Sequence, residues 1–423
     1  MRFIHAADIH LDSPLINLDR YEGAPVEELR GATRRAMDNL VDLAIQEQVS
    51  FVLIAGDLYD GECRDMNTPL ELRRSFAALG RAGIRVFIVQ GNHDAQSRVT
   101  KAFRLEWPDN THVFSTNAPE TVRVEELQVA VHGQGFATQE LKDDLSASYP
   151  KPVEDFFNIG LLHTNCDAHP GHGDYAKSSI SGLRAKRYDY WALGHVHKRE
   201  VLHQDDPWIV YPGNLQGRHV RETGNKGCTL VTVEEGEVVS ADHRDLDVVR
   251  WAQMDIDVSD CVDVGAVTAR VDKALATTLA QLDNQMLAAR LLLTGESAAH
   301  PQLVASRGDW EDQLRRMATD HYDQRVWLEK IRLHTRSPLN LDALEERDDA
   351  LGELLRQIRD LESADAALAD IRTELDAMLT DGPTDPRAEQ STINLDDPAQ
   401  VQAILADAKD LLLSRLLRAE DSK

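Results

Sequence analysis

Five short apolar runs, each stopping on a residue type that binds metal, constrain this chain more than any other feature. They are Phe3 to Ala7, Phe51 to Ala55, Arg85 to Val89, Ile159 to Leu162 and Tyr190 to Leu193. Their sequels, in turn, are Asp8 with His10, Asp57, Asn92 with His93, His163, and His195 with His197. Each run has the length of a buried strand and is too short for a helix. In open α/β sheets the reactive crevice lies beyond the carboxyl ends of such strands. Residues between positions 8 and 197 can therefore meet at one place, because each holds the same position relative to its strand.

Imidazole, carboxylate and amide donors without thiolates suit manganese, iron or zinc, with positions left open to water and substrate. Two such ions about 3.5 to 4 Å apart activate water at neutral pH and neutralise charge on an attacked phosphate. Asp57, in Ala-Gly-Asp-Leu-Tyr-Asp, is the expected bridge, since Gly56 permits a tight turn out of the strand. Asp8, His10 and His197 are expected on one ion; Asn92, His163 and His195 on the other. In an extended segment His195 and His197, flanking Val196, point the same way, and the same alternation pairs Asp8 with His10. His93 is left over on the other side of the chain, as a general acid for the departing oxygen would be. Asp94 is expected either to orient His93 or to cap the helix that follows. Asp-x-His alone is a weak signal. Gly-Asn-His-Asp and Gly-His-Val-His, each directly after a strand, are strong ones.

A chain of 423 residues exceeds a single typical core. The cysteines Cys63, Cys166, Cys228 and Cys261 lie far apart, which argues against a disulfide framework or a thiolate zinc site and points to a reducing cytosol. The N-terminal strand reaches a ligand candidate by Asp8, so no cleavable signal is expected, and no apolar run has membrane-spanning length. The formal net charge of -26 is unusual for a protein that handles nucleic acid. From Pro338 onward, however, 21 acidic residues face 9 basic ones, close to half of the excess. Basic groups recur around the proposed crevice: Arg184, Lys186 and Arg187, then Lys198 and Arg199, then Arg218, Arg221 and Lys226. Of these Lys198, Arg199, Arg218 and Arg221 are the candidate phosphate contacts. The loop His169-Pro170-Gly171-His172-Gly173 is read as surface or crevice rim, and His5 and His132 as packing residues.

Three segments follow from the patterning. Residues 1–246 alternate strands with helical stretches such as Val26 to Glu47 and Pro69 to Ala82, the mark of a layered α/β domain. Residues 247–337 restart as β-α-β-α-β, with strands Trp251 to Val258, Ala288 to Leu293 and Val326 to Leu333, helices Val262 to Asp283 and Asp309 to Asp320, and no catalytic cluster; this is read as a capping domain. Residues 338–423 carry leucines at three-and-four spacing, from Leu341 to Leu375, then a turn-rich stretch from Asp381 to Pro398 and a second helix from Ala399 to Arg418. Such helices form an intramolecular hairpin or a docking module for a partner.

Asp8-Ile-His10, Gly56-Asp57, Gly91-Asn-His-Asp94, His163 and Gly194-His-Val-His197 resemble the calcineurin-like metallophosphoesterase superfamily. Gly56 to Gly61, Tyr188 to Glu200 and Tyr211 to Thr223 are similar to its DNA-nuclease branch, the SbcD-type exonuclease subunits, and most of all to bacterial YhaO-type proteins. The resemblance implies a four-layer α-β-β-α fold, two divalent ions with manganese foremost, and 3′ to 5′ exonuclease action on DNA ends with single-strand endonuclease activity. It further implies work in DNA repair with an SMC-type ATPase docked on the C-terminal helices, and a homodimer for which Pro69 to Ala82 and Gln96 to Glu106 are candidate interface helices. Two departures stand out. Asp60 is followed by Gly61 where many superfamily phosphatases have Asp-Arg, and Asp60 stands where archaeal and eukaryotic relatives place a second histidine. The competing readings are a cyclic-nucleotide phosphodiesterase, against which the extra domains argue, and a non-catalytic scaffold for the ATPase, against which the complete ligand set argues.

Overall fold

The computed structural model describes residues 1–13, 23–60, 67–96, 106–168, 176–338, 344–363 and 372–375, and near the C-terminus 397, 400–402, 404–405, 408–409, 411–413 and 416. The His169 to Gly173 loop and nearly all of the Gln96 to Glu106 and Asp381 to Pro398 segments lie outside the described residues. Two compact units emerge. The first comprises Met1–Ile16, Pro25–Ala252 and Asn284–Met286, and the second Asn17–Ala24, Gln253–Asp283 and Leu287–Lys423.

The first unit is built on two six-stranded sheets. One contains β1 (Arg2–Ala6), β2 (Phe51–Ala55), β3 (Arg85–Val89) and β4 (Thr111–Val113), with β11 (Gly227–Glu234) and β12 (Glu237–Asp245), in the order β12-β11-β1-β2-β3-β4. The other contains β5 (Glu120–Val124), β6 (Val129–Gly133), β7 (Phe157–His163), β8 (Tyr190–Gly194), β9 (Glu200–His203) and β10 (Trp208–Tyr211), in the order β5-β6-β7-β8-β10-β9. The strands β1, β2, β3 and β4 are mutually parallel, as are β6, β7, β8 and β10. All five apolar runs of the sequence are strands, and β2 and β3 keep the expected bounds.

Period-two alternation within those strands decides which layer each side chain enters. Phe3, Phe51, Leu53, Phe87 and Val89 join Ile159, Leu161, Tyr190 and Ala192 of the other sheet in one buried cluster. The intervening Ile4, Val52, Ile54, Val86 and Ile88 meet Met37 and Leu40 of α2 (Ala32–Gln46) and Leu72 and Phe76 of α3 (Thr68–Arg81). Likewise Trp191 and Leu193 turn away from the sheet interface to Leu183, on the helix Ile180–Ala185, and to Tyr188. With both faces covered, the strands read as unbroken apolar runs instead of half-polar ones. The expected Val26 to Glu47 helix is divided, α1 spanning Val26–Arg30 and α2 beginning after Gly31. His5 and His132 are buried in the sheets: His5 meets the Tyr190 hydroxyl and the Leu193 carbonyl, both at 3.0 Å, and His132 meets Thr121 and Asn158.

In the second unit β14 (Met286–Glu296) lies between β13 (Val249–Asp257) and β15 (Val326–Arg336), parallel to the latter. Helices Val264–Leu279, His300–Ala305 and Arg307–His321 connect them. Asp263 caps the first of these, its carboxylate accepting from Ala266 N at 2.8 Å. Farther on, the helix Ala350–Ser363 buries Leu351 and Leu355 against Leu413.

Candidate active site

The site forms where the carboxyl ends of β1, β2, β3, β7 and β8 come together. The loops after β1 and β2 are zipped by backbone hydrogen bonds, Asp8 N to Gly56 O and His10 N to Asp57 O, both 3.0 Å. Asp8, His10 and Asp57 all have left-handed backbone, with φ of 50°, 44° and 54°, and His195 has φ 106°. Asp, Asn and His tolerate this region better than other non-glycine residues, and such strain gathers at functional sites. It also corrects one step of the sequence reasoning. Asp8-Ile9-His10 is irregular backbone with positive φ at both ends rather than an extended segment, and His195 sits at a bend, so curled backbone and not strand alternation aims these side chains.

Donor atoms of Asp8, His10 and His197 lie within 4.8 Å of one another, as do those of Asp8, Asp57 and His163, and those of His10, Asp60 and His93. Asp57 is central: its Oδ2 lies 3.7 Å from His10 Nε2 and 3.6 Å from His163 Nε2, while Oδ1 accepts the His93 backbone N–H at 3.0 Å. Asn92 Oδ1 sits 2.9 Å from His163 Nε2. The His195 ring lies edge-on to His163 at 5.2 Å, and its backbone N–H donates to both oxygens of Asp8. Two glycines make room. A Cβ on Gly56, at φ 91°, would stand 2.3 Å from His163 Nδ1, and one on Gly91 would stand 2.2 Å from Asp57 Oδ1.

The donor chemistry fits cations. His163 Nδ1 faces the Ala55 carbonyl at 2.9 Å and must donate to it, so Nε2 of the neutral ring carries a lone pair, aimed at Asn92 Oδ1, a second acceptor. An acceptor facing an acceptor in a buried place, as His163 Nε2 faces Asn92 Oδ1, is repelled unless positive charge lies between them. His197 is held from behind in the same way, its Nδ1 2.7 Å from Glu222 Oε1 and its Nε2 turned to His10 Nε2 at 3.3 Å. Burial, together with Arg218 and the neighbouring histidines, holds His10 well below the usual histidine range, so the ring is neutral and able to ligate. Burial and the Asp57 charge push Asp8 well above the usual carboxylate range, the strain expected of two acids in one cavity without a counter-charge.

His93 belongs to the third of these groups, with His10 and Asp60, and is its most exposed member. Its Nδ1 lies 3.4 Å from Asp60 Oδ1, its ring is edge-on to His10 at 4.9 Å, and its side chain is 35% exposed, open to an incoming ligand. Burial would lower its pKa, but the Asp60 hydrogen bond and the charges of Asp57 and Asp60 raise it above the usual value. Burial would raise Asp60, but His93, the Ser13 hydroxyl and Arg218 pull it well below the carboxylate range. Of the two roles expected for Asp94, capping is the one the structure shows and orienting His93 is not. Its carboxylate accepts from Gly91 N at 2.9 Å and Tyr59 N at 3.0 Å, so it caps α4 (Asn92–Gln96) and ties two site loops, while Asp60 is the acid facing His93. Burial and the Asp57 charge push Asp94 up to about 7.

The basic candidates separate. Lys198 and Arg221 are exposed. Arg199 turns inward, its Nη2 donating to the Ala241 carbonyl at 2.7 Å. Arg218 is bonded to Asp60 and Glu222. Glu222 and Ser13 were missed as site-supporting residues; Glu222 falls inside the quoted Tyr211 to Thr223 motif, but a partner for His197 leaves no trace in sequence spacing.

Two stacked sheets with this constellation at their strand ends define a metal-dependent phosphoester hydrolase. Residues 1–199 match the calcineurin-like phosphoesterase family and residues 251–336 the middle domain of metallophosphoesterase YhaO, and the chain belongs to the calcineurin-like metallophosphoesterases. Within them it stands near metallophosphoesterase YhaO of Bacillus subtilis, 32% identical over 350 residues that cover 82% of this chain and 84% of that one. The DNA double-strand break repair protein Mre11 of Sulfurisphaera tokodaii is 26% identical across 58% of this chain and 63% of its own length. That of Aeropyrum pernix is 26% identical across 66% and 69%. Among the described residues no helix is long and apolar enough to cross a membrane.

Proposed function

We propose that this protein is a two-metal DNA phosphodiesterase, a manganese-dependent 3′ to 5′ exonuclease that also cuts single strands and works in DNA repair beside an SMC-type ATPase. The observation that carries the hydrolytic part is His93, held by Asp60 at 3.4 Å beside the ligand cluster and open to solvent. Asp8, His10, Asp57 and His197 would hold one ion, and Asp57, Asn92, His163 and His195 the other. Bound divalent ions supply a neutral-pH nucleophile from water and neutralise phosphate charge. The chain does the rest. Asp57 sets the separation of the two donor groups, Glu222 and the Ala55 carbonyl hold His197 and His163 from behind with Nε2 facing inward, and His93 delivers its proton to the departing oxygen.

Support for DNA as substrate comes from the Mre11 relatives, whose name ties them to double-strand breaks, and from exposed Lys198 and Arg221 on segments next to site residues. The C-terminal helices and a second copy of the chain are the proposed docking sites for the ATPase and for dimerisation.

The test incubates purified protein and manganese with end-labelled DNA, with and without the ATPase, beside a His93→Ala variant and a cyclic nucleotide. Manganese-dependent shortening of DNA by wild type alone is expected. Equal survival of DNA with wild type and variant, ATPase included, ends the nuclease reading, and hydrolysis of the cyclic nucleotide alone puts a small-molecule phosphodiesterase in its place.

A further inference from the structure

We infer that Arg218 is a positioning residue that couples the acid histidine to the ligand histidine by holding their two carboxylates at once. The inference rests on the roles proposed above for His93 and His197, and its geometry is independent of which phosphodiester is cut. Arg218 Nη1 lies 3.4 Å from Asp60 Oδ2, and Nη2 lies 3.3 Å from Glu222 Oε1. Asp60 turns its other oxygen to His93 Nδ1 at 3.4 Å, while Glu222 Oε1 also meets His197 Nδ1 at 2.7 Å. A continuous chain results: His93, Asp60, Arg218, Glu222, His197. It joins residues from three loops and the short helix α4.

Neither carboxylate depends on Arg218 alone for its place. Ser13 Oγ donates to Asp60 Oδ2 at 2.6 Å, and Glu222 Oε2 accepts from the Arg218 backbone N–H at 2.7 Å and from Asn214 Nδ2 at 3.1 Å. What Arg218 adds is the spacing between them. A guanidinium is a planar fork with donors at fixed separation, whereas an ammonium is a point charge that can follow one partner only. Both acids are largely buried, with side chains 17% and 7% exposed, and without a cation between them their mutual repulsion would drive them apart.

The same geometry argues against Arg218 as a phosphate contact. Its side chain is only 15% exposed, and its single positive charge is shared between two negative ones, so little attraction is left for an incoming anion. Removing it should move both histidines. Removing a phosphate contact should move neither.

The experiment uses full-length protein labelled with 15N-histidine, as wild type, Arg218→Gln and Arg218→Lys. Three quantities are read: the imidazole nitrogen signals of His93 and His197, assigned through single His→Asn variants; manganese affinity by titration; and kcat and KM on bis(4-nitrophenyl) phosphate. In Arg218→Gln the Nδ1–H signature of His197 and the His93 signal both shift. Manganese binds about 10- to 100-fold more weakly, as is usual when support behind a ligand is lost, and the loss in kcat exceeds any change in KM. Arg218→Lys recovers part of the affinity at most. A rise in KM with kcat, manganese affinity and both histidine signals unchanged would make Arg218 a substrate contact and overturn the inference, as would three unchanged readouts. Should the glutamine variant not fold, by circular dichroism, the lysine variant decides on the same readouts. If the protein cuts no phosphodiester, the proposed function fails while the spectra and the metal titration still judge Arg218.

Discussion

Replacing Gly56 by alanine adds one methyl group at a crowded backbone position of the site. The new Cβ would stand 2.3 Å from His163 Nδ1 and 2.7 Å from its Cγ, where ordinary contact begins near 3.4 Å. His163 has nowhere to go. It is fully buried, hydrogen-bonded to the Ala55 carbonyl at 2.9 Å, faces Asn92 Oδ1 at 2.9 Å, and is flanked edge-on by Phe136 at 5.4 Å and His195 at 5.2 Å. Two terms add. Holding alanine at φ 91° costs about 1–3 kcal/mol, and forcing a methyl into a filled core costs about 1–3 kcal/mol more. A sum of about 2–6 kcal/mol lowers the melting temperature of the first unit by roughly 5–20 °C. A displacement of about 1 Å at a reacting centre also lowers the rate by about 10²-fold. Calorimetry on wild type, Gly56→Ala, His163→Ala and the double variant separates the terms. With the imidazole gone only the backbone term remains, so Gly56→Ala should cost about 1–3 kcal/mol less in the His163→Ala background. Strict additivity of the two substitutions would refute the clash with His163 as the cause.

Three further outcomes are expected. His93→Ala lowers kcat by about 10² to 10⁴ with manganese affinity unchanged; a variant that loses metal instead would place His93 among the ligands. His5, held by burial at a pKa of about 3 against its usual 6.5, takes up its proton in the unfolded chain first. Stability is therefore lost as pH falls from 6.5 toward 3, by about 1.4 kcal/mol per unit for this one group, and His5→Gln should flatten the urea midpoint over that range; parallel declines in both proteins would contradict it. Chelation should destabilise the first unit, by about 2.7 kcal/mol relative to protein at a free metal concentration 100 times Kd, and a melting temperature indifferent to EDTA would deny that the cluster binds cations.

Sequence carried the chemistry further than the geometry. The ligand series could be read because each donor directly follows an apolar strand, and strand ends in a layered α/β sheet converge by construction. The unbroken apolarity of β2 and β8 likewise announced strands covered on both faces. The aiming of Asp8 and His10 was argued from an extended backbone that does not exist there, because positive φ at both residues is imposed by the hydrogen bonds to Gly56 and Asp57 of another loop. Asp94, left with two roles in the sequence, and Arg199, read there as a phosphate contact, could not be placed from spacing for a related reason. A carboxylate or guanidinium beside a site motif takes whichever partner the fold brings nearest, which for Asp94 is the backbone of Gly91 and Tyr59 and for Arg199 the Ala241 carbonyl.

What the sequence by itself determined was the class of centre: which residue types end the strands, in what order, and hence a metal-dependent attack on a phosphoester. Tertiary structure alone decided which acid serves which histidine. Asp60 came to His93 and Glu222 to His197 through contacts spanning 33 and 25 positions, and Arg218 reached both. Donor identity is local and survives in the sequence as a motif. The partner that fixes a donor's proton and direction is set by how separate loops meet in space, and spacing along the chain holds no record of it.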